Sequence, residues 1–565
     1  MSTVHGAATG TANGTAIRSM ARFLPSRQDY AGLGKTWRTD LLAGITVGIV
    51  ALPLALAIGV SSGVGAEAGL ITAIVAGLVA AVMGGSPVQV SGPTGAMVVV
   101  LAPVVAVHGA ASIAPLSLMA GLLVCVLGFS GLGRAVAFIP WPVVEGFTLG
   151  IAAIIFLQQV PLATGTSGVP GHNTLVAAVE AAAGAKVPTV LLTVSLVAGV
   201  AVVMVLVQKL FRALPASLIA VLLATAAAEL FRLDIPRIGP LPHSLPAPAV
   251  PAFDLASLGS LAMPALAIAC LAAIESLLSA RVASGMTGPD GTPSGPYSPD
   301  RELTGQGLAS IAAGLFGGMP ATGAIARTAV NVRSGAKTRL AAVVHAVVLL
   351  AIVYLASGMV SRIPLAALGG VLMVTAARMV SRRTAAAILR STRSDAAVFI
   401  LTAIITVAFD LIVAIQIGLA AAALFALRKF AALSSVQREA IPGPPAEGDE
   451  HIAVLRLDGA MFFGAAERIL QEISQVRDVQ VAIIRLSQLR MLDATGAHAL
   501  VEVVSALELR GITVLLKGVR PDHLALVTNV GVIRSLRHHK HLFEHLADAV
   551  EHARSHVRRN ASYRL

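Results

Sequence analysis

The sequence predicts an α-helical, polytopic membrane protein that ends in a small α/β domain. The 565 residues are 56% hydrophobic and 12% charged, with a mean hydropathy of +0.83. This composition is too apolar for the surface of an ordinary soluble protein. Apolar runs of about 20 residues, the length that one helical bilayer crossing needs, follow one another from Leu41 to about Lys429. Beyond Lys429 the pattern changes to that of a soluble domain.

Basic residues between the apolar runs indicate the topology. We count twelve to fourteen runs, and the segment 1–38 has no apolar core, so the first run is expected to act as the insertion signal. Thirteen Lys and Arg residues fall on connections that share the side of the N-terminus, and four fall on the other side. The positive-inside rule then favours fourteen spans with both termini in the cytoplasm. The net charge of +12 is thus assigned to topology and not to nucleic-acid binding.

The residues after the apolar region predict a separate module. A Pro- and Gly-rich linker, Ile441–Glu450, precedes three β-rich runs that are separated by helix-like segments. Alternating β and α elements predict a small α/β sheet domain, and roughly 100 residues suffice to fold alone. The predicted organisation is a cytoplasmic N-terminal segment (1–38), a transmembrane domain (39–430), a linker (431–450), an α/β domain (451–556) and a basic tail (557–565).

A short pattern occurs twice inside apolar runs, about 228 residues apart. The two copies consist of Pro93, Thr94, Gly95 and Ala96, and of Pro320, Thr322, Gly323 and Ala324. Interrupted helices at corresponding positions of two halves are typical of a secondary transporter, because half-helix N-termini at the membrane centre expose amides to an anion. The pattern therefore predicts an anion site at 93–97 and 320–327. The alternative is that these small residues only allow close helix packing.

Several longer runs resemble one family. Asp40 to Ala55, Gln89 to Ala96, Arg301 to Gly307 and Phe316 to Thr328 resemble the SulP family, the sulfate-permease group related to animal solute carrier 26. The run Leu492 to Gly496 resembles the STAS domain, which the family shares with anti-sigma factor antagonists. The resemblance implies fourteen helices in two inverted seven-helix repeats, a core and a gate domain, a cytoplasmic STAS domain, and a homodimer.

Two charged residues are expected at the site. Glu275 lies in an apolar span, where an ionised side chain costs about 3 kcal/mol. The resemblance implies that this acid lies beside the anion and suggests coupling to H⁺, whereas the sodium-coupled bicarbonate branch tends to carry Asp near this position. Arg327, three residues after the second Thr-Gly-Ala, is expected to pair with Glu275 in the empty site and with the anion in the loaded one. The alternatives are a structural pairing of Glu275 with Arg327 or Arg281, and an Arg327 that only sets the topology.

The first span carries a third candidate segment. Leu52, Pro53 and Leu54 are expected to break this span and line the site. Many sulfate-transporting relatives carry Pro-Gln here with a nearby aromatic residue, so the resemblance leaves bicarbonate or a C4 dicarboxylate as open as sulfate. The alternative is that Pro53 only kinks the helix.

The STAS-like module carries two further patterns. Thr495 resembles the phosphorylated residue of anti-sigma factor antagonists, while the simpler interpretation is that Asp493 and Thr495 cap a helix. His541 with His545, and His552 with His556, have the helical spacing of metal-ligand pairs. No third ligand is evident from the sequence, so we assign them to the solvated basic tail and predict no metal site.

The predicted function is secondary active transport of a small anion: sulfate, bicarbonate or a C4 dicarboxylate. The sequence has no phosphate-binding Gly-x-x-x-x-Gly-Lys-Ser/Thr loop and no catalytic constellation, so an ion gradient is expected to supply the energy without a cofactor. The coupling ion is expected to be H⁺ rather than Na⁺. The Ala-rich composition fits a high-GC bacterium and its inner membrane. The alternatives are a passive anion channel or uniporter, a membrane-tethered STAS signalling protein with a cytoplasmic partner, and a nucleobase transporter.

Overall fold

The computed structural model describes most of the chain. The described residues are 23–30, 32–133, 140–166, 174–211, 214–251, 255–408, 411–432, 435–462, 466–474 and 478–562. Residues 1–22 of the predicted N-terminal segment and residues 563–565 of the predicted basic tail lie outside them. The chain divides into two compact units, Met1–Leu419 and Ala420–Leu565, which are treated separately below.

The first unit is almost entirely helical. Its first half contains α1 (Leu33–Ser61), α2 (Ala66–Met83), β1 (Ser91–Gly92), α3 (Gly95–His108), α4 (Ile113–Phe129), α5 (Trp141–Gln158), α6 (Val160–Thr164), α7 (Thr174–Ala183), α8 (Val187–Leu210) and α9 (Ala216–Leu230). Its second half contains α10 (Leu255–Ser284), α11 (Pro299–Leu315), β2 (Thr322–Gly323), α12 (Ile325–Arg333), α13 (Leu340–Val360), α14 (Leu365–Met379), α15 (Arg382–Leu389) and α16 (Arg393–Ala408), and α17 (Leu411–Ala432) follows.

Eight helical segments among the described residues are long and apolar enough to cross a bilayer. Helices such as α3 and α9 are apolar but shorter, with 14 and 15 residues. A helix that starts near the membrane centre needs only half the usual length, so a length criterion overlooks it. The helical membrane fold is as predicted, while the count of fourteen spans stays a prediction.

The two halves repeat the same packing. Helix α4 packs on α11 as α13 packs on α2, α5 packs on α16 as α14 packs on α8, and α10 packs on α4 as α1 packs on α13. Strands β1 and β2, the corresponding breaks of the two halves, pair with each other in antiparallel register, Ser91 opposite Gly323 and Gly92 opposite Thr322. Equivalent segments that pair antiparallel are related by a two-fold axis, the arrangement of inverted repeats.

A buried carboxylate joins α1 to the start of α13. Asp40 is 0% exposed, and its oxygens accept hydrogen bonds from the amides of Lys337 (2.7 Å) and Thr338 (3.0 Å). The hydroxyls of Thr36 (2.8 Å) and Thr338 (2.7 Å) donate to the same side chain. One acid thus satisfies two backbone donors that precede α13, and these donors would otherwise be left unpaired.

We expect Asp40→Ala to lower the free energy of unfolding by about 3 kcal/mol, because it leaves buried donors without acceptors. The measurement is thermal unfolding of the detergent-purified protein by intrinsic fluorescence. Asp234→Ala is the control, since Asp234 is exposed. Equal midpoints for the two variants would show that the Asp40 contacts contribute no stability.

The second unit is an α/β domain. Its elements are β3 (Ser435–Glu439), β4 (Ile452–Met461), α18 (Ala466–Ser474), β5 (Val481–Arg485), β6 (Leu489–Leu492), α19 (Ala494–Leu509), β7 (Thr513–Lys517), α20 (Pro521–Val530), α21 (Val532–Ser535), β8 (Leu542–Phe543) and α22 (Leu546–Ser562). The strand order is β3-β4-β5-β7-β8, with β6 also paired to β4. Strand β3 is antiparallel to β4, and the other pairs are parallel.

Successive side chains of β4 point to opposite faces of the sheet and join two different apolar clusters. Ala453 and Leu455 join the apolar cluster that contains residues of α18, α19 and α20, whereas Ile452 and Val454 join the cluster that contains residues of α22. The three β-rich runs of the sequence correspond to β4, β5 and β7. Two boundaries differ from the predicted ones: β3 lies inside the segment predicted as linker, and α22 continues into the predicted tail. Strand β3 is only half-buried and of mixed polarity, so its sequence carries no apolar run.

Candidate anion-binding site

The two predicted helix interruptions meet at one place. Each copy of the pattern lies where a two-residue strand is followed by a helix: β1 leads into α3, and β2 leads into α12. Hydrogen bonds hold the two lead-in segments together, since Ala324 N donates to Val90 O (2.9 Å) and Val90 N donates to Thr328 Oγ1 (3.0 Å). The starts of two short helices are thereby fixed on either side of a paired β1–β2 centre.

Among the residues that the structure describes, the first amides of both helices receive no side-chain hydrogen bond from the residue that caps the helix. The residues that precede the helices, Thr94 and Ala324, have extended backbones and make no side-chain cap hydrogen bond. Within a helix the first four amides have no carbonyl to bind, and the aligned peptide dipoles place roughly half a positive charge there. The two N-termini therefore provide amide donors and positive potential, which suit an anion.

Glu275 lies between the two interruptions. Its Oε2 accepts hydrogen bonds from Thr94 Oγ1 (2.7 Å) and from Thr322 Oγ1 (3.0 Å). Thr94 belongs to the first copy of the pattern and Thr322 to the second, so one carboxylate oxygen joins both. The next residue of α10, Ser276, accepts a hydrogen bond from Gly323 N (3.0 Å) through Oγ. Helix α10 thus positions the acid directly at the two-fold centre.

Arg327 lies on the first turns of α12 and is 3% exposed. Its Nη2 donates to the carbonyl of Pro93, and its Nη1 is buried without a hydrogen-bond partner among the described residues. Gly92 makes room for this guanidinium: a Cβ there would lie 2.7 Å from Nη1, and the backbone φ of +153° also disfavours other residues. The cation of the second half is therefore placed against the helix start of the first half, with donor capacity to spare.

Glu275 and Arg327 have different hydrogen-bond partners. Glu275 is bound by the Thr94 and Thr322 hydroxyls, and Arg327 by the Pro93 carbonyl. The charges of Glu275 and Arg327 act on each other through space, but the hydrogen bonds of the two side chains go to other groups. The predicted pairing in the empty site, and the alternative pairing of Glu275 with Arg281, stay predictions. Arg327 is also buried, which favours a role inside the protein over the alternative of a topology determinant at the membrane surface.

Leu52, Pro53 and Leu54 do not break the first span. Helix α1 is continuous from Leu33 to Ser61 with Pro53 inside it. Membrane helices tolerate such a proline because the surrounding protein can satisfy the freed carbonyl. Leu52 is 5% exposed and belongs to the apolar cluster that includes Ala96, and Leu54 packs against that cluster. The segment therefore supplies apolar packing near the start of α3, and its contact with substrate stays a prediction.

Sequence reasoning overlooked several buried polar groups around this centre. Gln89 is 5% exposed, both polar atoms of its amide lack a partner among the described residues, and a Cβ on Gly323 would collide with it. His345 is 0% exposed, and neither ring nitrogen has a partner there. Gln306 Nε2 donates to Ser91 Oγ (2.5 Å) and to Glu302 Oε1 (2.9 Å). The signal was available, since polar side chains in membrane spans normally line a pathway.

In the second unit, Asp493 caps α19. Its Oδ1 accepts a hydrogen bond from Gly496 N (2.7 Å), which is the simpler of the two interpretations of this motif. Thr495 is exposed on the first turn of α19. Its hydroxyl is therefore accessible, and phosphorylation of Thr495 stays a prediction.

Comparison with protein families agrees with this architecture. The model of the sulfate permease family matches residues 37–402, and the STAS domain model matches residues 443–549. The chain belongs to the sulfate permease family. The predicted membership and the predicted STAS domain are thereby confirmed.

Individual relatives match over most of their length. YvdB of Bacillus subtilis is 32% identical over 524 residues, 90% of this chain and 96% of YvdB. The bicarbonate transporter BicA of Synechocystis is 30% identical over 503 residues, 85% of this chain and 88% of BicA. The overall structure of SLC26A9 has a TM-score of 0.79 at 16% identity and covers 98% of both chains. The transmembrane domain of a cyanobacterial BicA has a TM-score of 0.59 at 30% identity and covers 69% of this chain and 97% of that chain.

Family membership establishes the broad function. The protein is a multi-pass membrane protein of an anion-transporter family, and the family and the compared relatives are transporters rather than enzymes. The predicted fold class, a helical membrane domain with a C-terminal STAS domain, is confirmed by the same comparisons. Substrate, coupling and the roles of individual residues require the site geometry.

Proposed function

We propose that the protein is a secondary active transporter that moves a small anion together with H⁺. One observation carries the proposal: the Glu275 carboxylate joins the starts of both half-helices through the hydroxyls of Thr94 and Thr322. The anion binds between the N-termini of α3 and α12. The residues proposed to contact it are Pro93, Thr94, Gly95, Ala96, Thr322, Gly323, Ala324 and Arg327, with Leu52, Pro53 and Leu54 on the apolar side.

The position of Glu275 couples the anion to a proton. An anion that reaches the amides of α3 and α12 also meets the negative charge of Glu275, and in a membrane interior two like charges at short range repel strongly. Protonation removes this repulsion and converts the carboxyl group into a hydrogen-bond donor for the anion. Binding of the anion and binding of the proton therefore favour each other, which is the thermodynamic requirement for symport.

The strength of this coupling depends on the charge of the substrate. Arg327 contributes one positive charge and the two helix N-termini together contribute about one more. With Glu275 ionised the site carries a net charge of about +1, and with Glu275 protonated about +2. A dianion such as sulfate or fumarate is matched only by the protonated site. Bicarbonate carries one charge, so its uptake depends less on protonation.

The remaining proposals concern the setting of the site. We place the chain in a bacterial inner membrane with fourteen spans, with both termini in the cytoplasm, as a homodimer whose STAS domain binds a cytoplasmic partner. The excess of basic residues on the side of the N-terminus supports the orientation. The name of the relative BicA and the description of the family supply bicarbonate and sulfate as the first substrates to test.

The test is uptake of labelled sulfate, bicarbonate and fumarate into proteoliposomes, with and without an inward proton gradient. We expect accumulation of at least one of these anions above equilibrium when the gradient is present, and equilibration when a protonophore collapses it. Uptake that is independent of the proton gradient would contradict symport and support a passive channel or uniporter. Absence of uptake for all three anions would contradict transport of these substrates and support a signalling role of the STAS domain.

A further inference from the structure

Three histidine side chains of the second unit converge on one point. His541 ends a 3-10 turn (His539–His541) before β8, and His552 and His556 lie one turn apart on α22. One nitrogen from each ring can be chosen so that all three atoms lie within 4.8 Å of one another. The centres of the His552 and His556 rings each lie 5.5 Å from that of His541.

His541 is the buried member of this cluster. It is 4% exposed, and its Nδ1 has no hydrogen-bond partner among the described residues. It directly precedes β8, which pairs with β7 in parallel. A buried imidazole with an unpartnered nitrogen, beside two other imidazoles, is able to act as a metal ligand.

The spacing of the nitrogens fits a tetrahedral ion. Nε2 of His552 and Nε2 of His556 are 3.2 Å apart, close to the roughly 3.3 Å that separates two ligands bound to zinc at about 2.0–2.1 Å. One nitrogen of His541 lies within 4.8 Å of a nitrogen of each of the other two rings, and His552 and His556 are only half-buried. Their partial exposure leaves the fourth coordination position to water or to another side chain.

We propose that His541, His552 and His556 bind a Zn²⁺ ion that links the turn before β8 to helix α22. Three imidazoles without a thiolate or carboxylate form a set that suits zinc and its neighbours among the transition metals, and does not suit Ca²⁺ or Mg²⁺. The ion joins two separate elements, so it holds α22 against the sheet at the face formed by Ala549, Val550, Ala553 and Val557.

Electrostatics around the cluster agree with this assignment. Burial, aided by the neighbouring histidines, lowers the pKa of His541 to about 4. Burial and nearby basic groups also lower the pKa values of His552 and His556. All three rings are thus neutral at pH 7, the form that binds metal. Of the basic side chains that act on the cluster, Arg537 is paired with Glu508 (3.1 Å) and Arg559 is hydrogen-bonded to Ser555.

The prediction of no metal site rested on the lack of a third ligand, and the structure supplies one. Helical spacing paired His541 with His545, but His541 lies outside the helix and His545 is exposed. The partner of the His552–His556 pair comes from the turn before β8, eleven residues earlier in the chain. A pairing across two elements cannot be found from helical periodicity.

The test uses the full-length protein, purified through a tag without histidine and treated with a chelator. Zn²⁺ is titrated by calorimetry, and the bound metal is counted by mass spectrometry after dialysis. We expect one ion per chain, and a loss of affinity of more than about 100-fold in the double variant His552→Gln/His556→Gln, because removal of ligands exceeds the cost of losing outer-shell partners. His545→Gln is the matched control and should bind as the parent does.

A second readout separates a built site from binding at the surface. Co²⁺ in the same protein should give the visible absorption of a tetrahedral site, and Zn²⁺ should raise the thermal midpoint of the parent but not of the double variant. Both substituted residues, His552 and His556, are half-buried, so the double substitution leaves the apolar core intact. Equal Zn²⁺ binding by the parent and the double variant, or no binding by the parent, would overturn the proposal.

Discussion

Arg327→Gln is expected to lower anion uptake by at least about 30-fold, which corresponds to the roughly 2 kcal/mol or more that loss of one member of a buried charge interaction costs. Arg327 is the buried cation of the site, with Nη2 on the Pro93 carbonyl and Nη1 without a partner among the described residues. The variant removes both the counter-charge for the anion and a contact that fixes the lead-in to α3. The measurement is the initial rate of uptake as a function of substrate concentration.

Arg327→Lys separates these two contributions. Lysine keeps the charge but loses the planar fork that serves the carbonyl and the anion together. We expect a raised KM with a largely retained maximal rate for Arg327→Lys. The control is Arg333→Gln, on the exposed end of the same helix, which should behave as the parent does. If Arg327→Lys failed as completely as Arg327→Gln while both proteins remained folded by thermal unfolding, charge complementarity would not be the role of Arg327.

Glu275→Gln is expected to abolish proton-driven accumulation without abolishing transport. Glutamine has nearly the same shape, and its amide oxygen can still accept hydrogen bonds from Thr94 and Thr322. The side chain at position 275 is then permanently uncharged. With the membrane potential held at zero, an inward gradient of about one pH unit supports up to about tenfold accumulation by one-proton symport, and the variant should only equilibrate the anion.

The matched control for Glu275→Gln is Glu67→Gln. Glu67 lies in the first turn of α2 and is exposed, so the change removes a carboxylate of the same unit outside the site. Accumulation by this control should equal that of the parent. Retained accumulation in Glu275→Gln would assign the coupling to another titratable group, and His345, which is buried near the same centre, would then be the next residue to test.

The sequence predicts the location of this site better than its contacts. Four features of the sequence indicate which segments form the site. They are the two copies of the Pro and Thr-Gly-Ala pattern, the acid in an apolar span, and the Arg that follows the second copy. The hydrogen bonds could not be predicted, because Thr94 is 181 residues from Glu275 along the chain and Pro93 is 234 residues from Arg327. The antiparallel pairing of β1 with β2, together with helix packing between the two halves, brings the first half close enough to supply both partners.

The same distinction applies to the rest of the fold. Long apolar strands such as β4, β5 and β7 are predictable because their runs are continuous, whereas β8 has only two residues and is defined by its neighbour β7. Pro53 was expected to break α1, since a proline removes one amide. The helix continues because the packing around it outweighs the loss of one hydrogen bond. Local propensity is a weak guide where tertiary packing is dense.

The most direct test of the central claim is to record internal acidification and labelled dianion uptake in the same proteoliposomes, for the parent and for Glu275→Gln. Protonation of Glu275 upon anion binding predicts one proton for each dianion taken up by the parent, and dianion uptake without proton entry in the variant. Equal proton entry in the two proteins, or dianion uptake by the parent without any acidification, would contradict the role of Glu275 between the two half-helices.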